Sequence, residues 1–105
     1  MTYRNRALLD LAHDAPCMLR LGPPGCGGNA SVPAHSDLLR HGRGVGHKGG
    51  DQFAVAGCPA CHAIFTRAKL GREGYEAVWL AAHERYLTWL WENERIKVNE
   101  KARKG

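Results

Sequence analysis

Apolar residues recur along this chain at two spacings, and the change of spacing marks out its elements. Near the start, Ala7, Leu8, Leu11 and Ala12 fall at helical intervals and predict a short helix over residues 4–13. Pro16 closes it, because the residue before a proline avoids the helical region. The run from Cys17 to Asn29 contains Gly22-Pro23-Pro24-Gly25-Cys26-Gly27-Gly28, which suits neither a helix nor a central strand. Residues 31–35 read as a short strand, and residues 52–57 as a second, through Phe53 and Val55. Residues 42–51 between them form a glycine-rich basic loop. Cys58-Pro59-Ala60-Cys61-His62 opens a helix, with Pro59 suited to its first position. That helix is expected to reach about Leu70 and to stop at Gly71.

A long helix follows, expected over residues 73–97. Tyr75, Val78, Trp79, Ala82, Tyr86, Trp89, Leu90 and Asn93 share one face of it. Leu80, Leu87 and Trp91 widen the apolar surface beyond a single stripe. A face that wide predicts burial against the domain and leaves room for a partner, including a second copy of the chain in a homodimer. The three tryptophans read as core or interface residues, and the charged tail after residue 97 as frayed. No internal repeat or linker divides the chain, so a single domain is expected over residues 1–105.

Size then constrains the picture. A domain of 105 residues buries roughly 65% of its unfolded surface, so its core needs help from disulfides, a metal or a partner. The chain carries four cysteines and six histidines, a large stock of ligands for its length. No apolar run reaches the ~18 residues of a membrane span. The basic N-terminus is followed by a stretch too short and too polar for a signal peptide. A cytoplasmic location is therefore expected, where thiols stay reduced and cysteines more often bind metal than pair. Fifteen Lys and Arg against ten Asp and Glu give a net charge of +5, which favours a polyanion partner; a plain basic surface would carry the same excess.

Cys58 and Cys61 form a C-x2-C pair whose tight turn brings two sulfurs to one side. Cys17 and Cys26, with the Gly/Pro-rich loop between them, can supply the other half of a four-thiolate zinc site. Such a site is structural, since four protein ligands leave no open position for chemistry. Other readings stand beside it. Two disulfides would need an oxidising compartment, a redox C-x2-C would need a thioredoxin-like βαβ context, and four unrelated buried thiols would need coincidence.

The order strand–His35, glycine loop, Asp51, strand, Cys-x2-Cys-His62 on a helix resembles the HNH nucleases of the ββα-metal (His-Me finger) superfamily, and within it small prophage-encoded nucleases. The residues that carry the likeness are Cys17, Cys26, Ala34-His35-Ser36-Asp37, the loop His41-Gly42-Arg43-Gly44-Val45-Gly46-His47-Lys48, Asp51 and Cys58-Pro59-Ala60-Cys61-His62. The likeness covers roughly residues 15–70. The resemblance implies an α+β fold: a small zinc-stabilised ββα-metal core with an N-terminal helix and a long C-terminal helix. It implies a metal-dependent endonuclease that hydrolyses DNA phosphodiester bonds in phage or prophage DNA processing. His35 would be the general base, for which an imidazole with an unperturbed pKa of ~6.5 is suited. Asp51 stands where relatives usually carry Asn, pinning the loop and orienting the histidine. His62 would hold a catalytic divalent ion, Mg2+ or Mn2+. Asp37 would join it if the first strand continues far enough to share a face with His35. Arg40, Arg43 and Lys48 would contact DNA phosphates.

The chain departs from the pattern at Ala34 and Thr66, where relatives often carry a further metal ligand. These departures keep open a non-catalytic zinc-knuckle DNA-binding module with a degenerate nuclease site. The Trp-rich helix keeps open a protein-interaction module. His41 and His47 read as solvated or phosphate-facing, and His13 and His83 as ordinary helix residues.

Overall fold

The computed structural model describes residues 3–21, 32–41 and 49–98, with Leu39 and Arg67 described by backbone alone. The expectations for Cys26, Arg43, His47 and Lys48, and for the tail beyond residue 98, lie outside the described residues. The architecture is α+β: a two-stranded antiparallel sheet with short helices and one long C-terminal helix.

Helix α1 spans Arg6–Asp10 and is capped by Asn5, whose side-chain oxygen accepts from the Leu8 N–H at 3.0 Å. The helix expected over residues 4–13 is thus shorter and continues as a 3-10 turn over Leu11–Asp14. The tighter turn lets Ala15 leave in an extended conformation (ψ 151°), which Pro16 requires. Residues 16–20 then run as a strap across the sheet, tied by the Met18 N–H to the Ala56 carbonyl at 2.8 Å.

Strand β1 is Val32–His35 and strand β2 is Ala54–Gly57. They pair antiparallel, with Ala34 opposite Val55 and His35 opposite Ala54. All four residues of β2 are buried, which its small side chains allow. At Gly57 a Cβ would stand 2.5 Å from Leu19 Cδ1, so the strap packs closely only because glycine is there. The second strand is shorter than expected, because Asp51–Phe53 forms a 3-10 turn instead.

Cys58 caps helix α2, Pro59–Ile64, and Pro59 occupies its first turn. This helix ends before Leu70. Phe65 leaves the helical region (ψ 73°) and stacks on Tyr75 with ring centroids 4.2 Å apart. Thr66 then caps a new helix by accepting from the Lys69 N–H at 3.2 Å. Helix α3 spans Arg67–Glu92, and the interruption expected at Gly71 is present within it as a non-helical residue (φ 73°, ψ 167°). That left-handed φ is open to glycine without steric penalty. The helix stops five residues short of Lys97. Glu94 takes a left-handed φ of 54°, and the Arg95 N–H closes back on the Leu90 carbonyl at 2.9 Å, a Schellman-type ending.

Tyr75, Trp79, Ala82, Tyr86 and Leu90 are buried at spacings of three and four along α3, pressing one face onto β2 and the strap. Trp79 is completely buried, Trp89 half-buried, and Trp91 half exposed along with Leu80 and Leu87. Asn93, expected on the buried face, is exposed beyond the helix end. No helix among the described residues is long and apolar enough to cross a membrane.

Candidate metal centre and candidate active site

The two ends of β2 carry two separate constellations. At its C-terminal end Cys58 and Cys61 sit at the start of α2, and the strap delivers Cys17 to them. The three sulfurs lie within 4.8 Å of one another, all three residues are buried, and all three are free thiols. Zinc–thiolate bonds of ~2.3 Å set ligand sulfurs about 3.8 Å apart in a tetrahedron, so the cluster needs little closure to hold an ion. The Cys61 N–H donates to Cys58 Sγ at 3.5 Å. Burial alone would push the Cys17 thiol up. Hydrogen bonds from the Cys58 and Arg20 backbone N–H groups and from the Cys61 and Cys58 thiols outweigh it and bring Cys17 down to about 7. A thiol that ionises so readily is prepared for metal binding.

The strap that positions Cys17 is fastened from α3. Arg85 donates from both Nε (3.1 Å) and Nη2 to the Met18 carbonyl. Arg20 takes a left-handed φ of 47° and donates from Nε to the Cys17 carbonyl at 3.4 Å. Sequence reasoning passed over Arg85, since nothing in its spacing marks a bond to a residue 67 positions away.

At the N-terminal end of β2 lies the pair His35 and Asp51. His35 is the last residue of β1, and its Nε2 stands 2.9 Å from Asp51 Oδ1. The Asp51 side chain is 4% exposed and that of His35 14%. Asp51 also accepts from Arg4 Nη1 at 3.1 Å on Oδ1 and from the Asn5 N–H at 2.6 Å on Oδ2. Burial would push the Asp51 carboxyl up, but the hydrogen bonds from His35, Asn5 and Arg4 outweigh it and hold the group below its ordinary value of 3.8. An ionised carboxylate only accepts, so His35 Nε2 must carry a proton; in the neutral ring the lone pair then lies on Nδ1.

The remaining candidates divide. His62 is exposed on α2, with no hydrogen bond to His35 or Asp51 among the described residues. Strand β1 stops at His35, so the alternation that would place Asp37 on the histidine's face does not reach it; the Asp37 N–H instead donates to Tyr75 Oη at 3.0 Å. Ala34 is buried in the core on the opposite strand face from His35, and Thr66 is occupied in capping α3. Arg40 is exposed, and its Nη2 is paired with Glu76 Oε1.

Two histidines differ from expectation. His41 is not a solvated loop residue. Its ring stacks on Phe53 at 4.0 Å, lies 4.7 Å from Trp79, and its Nδ1 meets Ser36 Oγ at 2.6 Å. His83 stacks on Trp79 at 4.6 Å, and its Nε2 meets the Gln52 carbonyl at 3.3 Å. Burial lowers both histidines from 6.5. For His41 the nearby Arg40 and His83 act in the same direction, against Glu76. The one available signal was positional: His83 falls four residues after Trp79, one helical turn along the same face.

The chain matches no family model, no curated protein and no solved structure.

Proposed function

We propose that this protein is a metal-dependent endonuclease of HNH type that hydrolyses DNA phosphodiester bonds, with a structural zinc site beside the catalytic one. The observation that carries the reading is the His35–Asp51 contact of 2.9 Å, set at the strand ends of a β–β–α succession with His62 on the helix that follows. In this reading His35 Nδ1 takes the proton from the attacking water, and Asp51 steadies the imidazolium that results. His62 would hold the divalent ion, which would supply positive charge to the phosphate and to the leaving oxygen. Cys17, Cys58 and Cys61 would hold zinc, a soft donor set for a tetrahedral site, with Cys26, outside the described residues, as the fourth ligand. Arg40, Arg43 and Lys48 contact phosphates; Arg40 would exchange Glu76 for DNA.

A plasmid-nicking assay with Mg2+ or Mn2+ tests the reading. Cleavage by the wild type that is lost in His35→Ala is the expected result, and cleavage that survives His35→Ala refutes the mechanism. A second reading, the non-catalytic zinc-knuckle DNA-binding module, is favoured by one observation. The two positions where a further ion ligand was sought serve the fold instead, Ala34 in the core and Thr66 as a helix cap. Salt-sensitive DNA binding without cleavage under any ion selects it.

A further inference from the structure

We propose that Arg4 is a positioning residue for His35, acting through Asp51, so that the segment before α1 belongs to the catalytic constellation. The inference rests on the nuclease reading for its purpose, but its geometry stands apart from that reading. Residues 3–5 lie against residues 49–51 with hydrogen bonds in both directions. The Asp51 N–H donates to the Tyr3 carbonyl at 2.9 Å, and the Asn5 N–H donates to Asp51 Oδ2 at 2.6 Å. Arg4 Nη1 donates to Asp51 Oδ1 at 3.1 Å and to the Gly49 carbonyl at 2.6 Å. Oδ1 is the same oxygen that receives His35 Nε2.

A carboxylate turns about one terminal torsion with a broad energy profile, so one held oxygen does not fix its plane. Here Asn5 holds Oδ2, while Arg4 ties Oδ1 to the Gly49 carbonyl. The oxygen is thereby held 2.9 Å from His35 Nε2, where an Nε2–H can meet it. The adjacent guanidinium adds to the His35 and Asn5 hydrogen bonds that keep the carboxyl ionised, hence an acceptor, hence unable to donate to His35. Both effects select one imidazole tautomer and leave the base lone pair on Nδ1. Without Arg4 the Asn5 N–H still holds Oδ2, but Oδ1 loses its tie to Gly49, so the carboxylate plane can turn about that anchor and the second tautomer becomes accessible.

The test is long-range proton–nitrogen correlation NMR of the histidine rings in the full-length, metal-loaded protein at neutral pH, with His35 assigned through His35→Gln. The expected wild-type result is the Nε2–H tautomer. Arg4→Gln is expected to lower the tautomer ratio about tenfold, and Arg4→Lys, which keeps the cation, to restore most of it. In the nicking assay Arg4→Gln should lower kcat while KM stays near wild type. A wild-type Nδ1–H ring overturns the proposal without any variant, and so does a tautomer ratio that Arg4→Gln leaves unchanged. If Arg4→Gln does not fold, Arg4→Lys and the wild-type tautomer decide. If no ion supports cleavage while the tautomer still follows Arg4, the nuclease reading fails and the positioning of His35 stands.

Discussion

Replacing Asp51 with alanine should cost about 2–4 kcal/mol at neutral pH. The side chain is 4% exposed and accepts three hydrogen bonds, from His35, Arg4 and the Asn5 N–H. A bond to a charged group contributes about 1.5–3 kcal/mol, but the three losses are unequal. The Arg4 side chain is 47% exposed, so its guanidinium rehydrates and adds little. The Asn5 N–H and the His35 ring are more enclosed and lose an acceptor that water replaces poorly, at about 1–2 kcal/mol each. Asp51→Asn keeps an acceptor oxygen and should cost less, about 1 kcal/mol. The pH dependence follows from the carboxyl's lowered value. A folded-state pKa below 3.8 means that Asp51 contributes its full stability above about pH 4 and loses it as pH falls through the lowered value. Urea unfolding of wild type and Asp51→Ala, at neutral pH and in steps down to about pH 3, measures both effects. The difference between the two proteins is the informative quantity, because acid acts on the cysteine cluster in both alike. A neutral-pH loss below about 0.5 kcal/mol, or a difference that does not shrink in acid, would refute the reasoning.

Three further outcomes are expected. Wild type should carry about one zinc per chain, while Cys58→Ser should lose the metal and cooperative thermal unfolding with it; a metal-free Cys58→Ser that melts like wild type removes the structural site. Tyr86→Phe should stabilise the fold by about 1 kcal/mol in urea, since the buried Tyr86 hydroxyl has no hydrogen-bond partner among the described residues and burial pushes it up to about 12; a net loss in that variant would show that the hydroxyl is satisfied. His41 and His83 titrate below 6.5 in the fold, so the unfolded chain binds their protons first and stability falls as pH drops below 6.5, by at most about 1.4 kcal/mol per pH unit for each. His83→Phe keeps a ring on Trp79 and should flatten that slope; an unchanged slope places the titrating group elsewhere.

Much of the fold was legible because local chemistry and tertiary demand agreed. The C-x2-C pair with Pro59 in the first turn marks a helix start that needs no distant partner. The spacing of Tyr75, Trp79, Ala82 and Tyr86 marks the buried face of α3 for the same reason. Where the reading erred, contacts far along the chain decided. Phe65 ends α2 early by reaching Tyr75, and Phe53 leaves the strand for a turn that lets its ring meet His41. The candidate site divides likewise. His35, Asp51 and the three described cysteines stood out by type and order, whereas Arg4 and Asn5 meet Asp51 across 47 and 46 positions with no motif to announce them.

β2 links the two constellations. Asp51 lies three residues before its first residue, Cys58 follows its last, and every residue between Ala54 and Gly57 is buried. A strand so enclosed transmits displacement, because a packed interior has no slack to absorb it. The strap reinforces the link, since the Met18 N–H grips Ala56 and Arg85 grips the Met18 carbonyl. The strand that seats Cys58 on one side therefore pairs Ala54 with His35 on the other. If the cysteines carry an ion, removing it should loosen the strap and α2 first. The disturbance should then reach His35 through four ladder positions rather than through any direct contact. On this arrangement an ion held by the three cysteines would do more than add stability to a short chain. It would fix the strand against which the imidazole is held, so that metal content and the ring geometry of His35 should vary together.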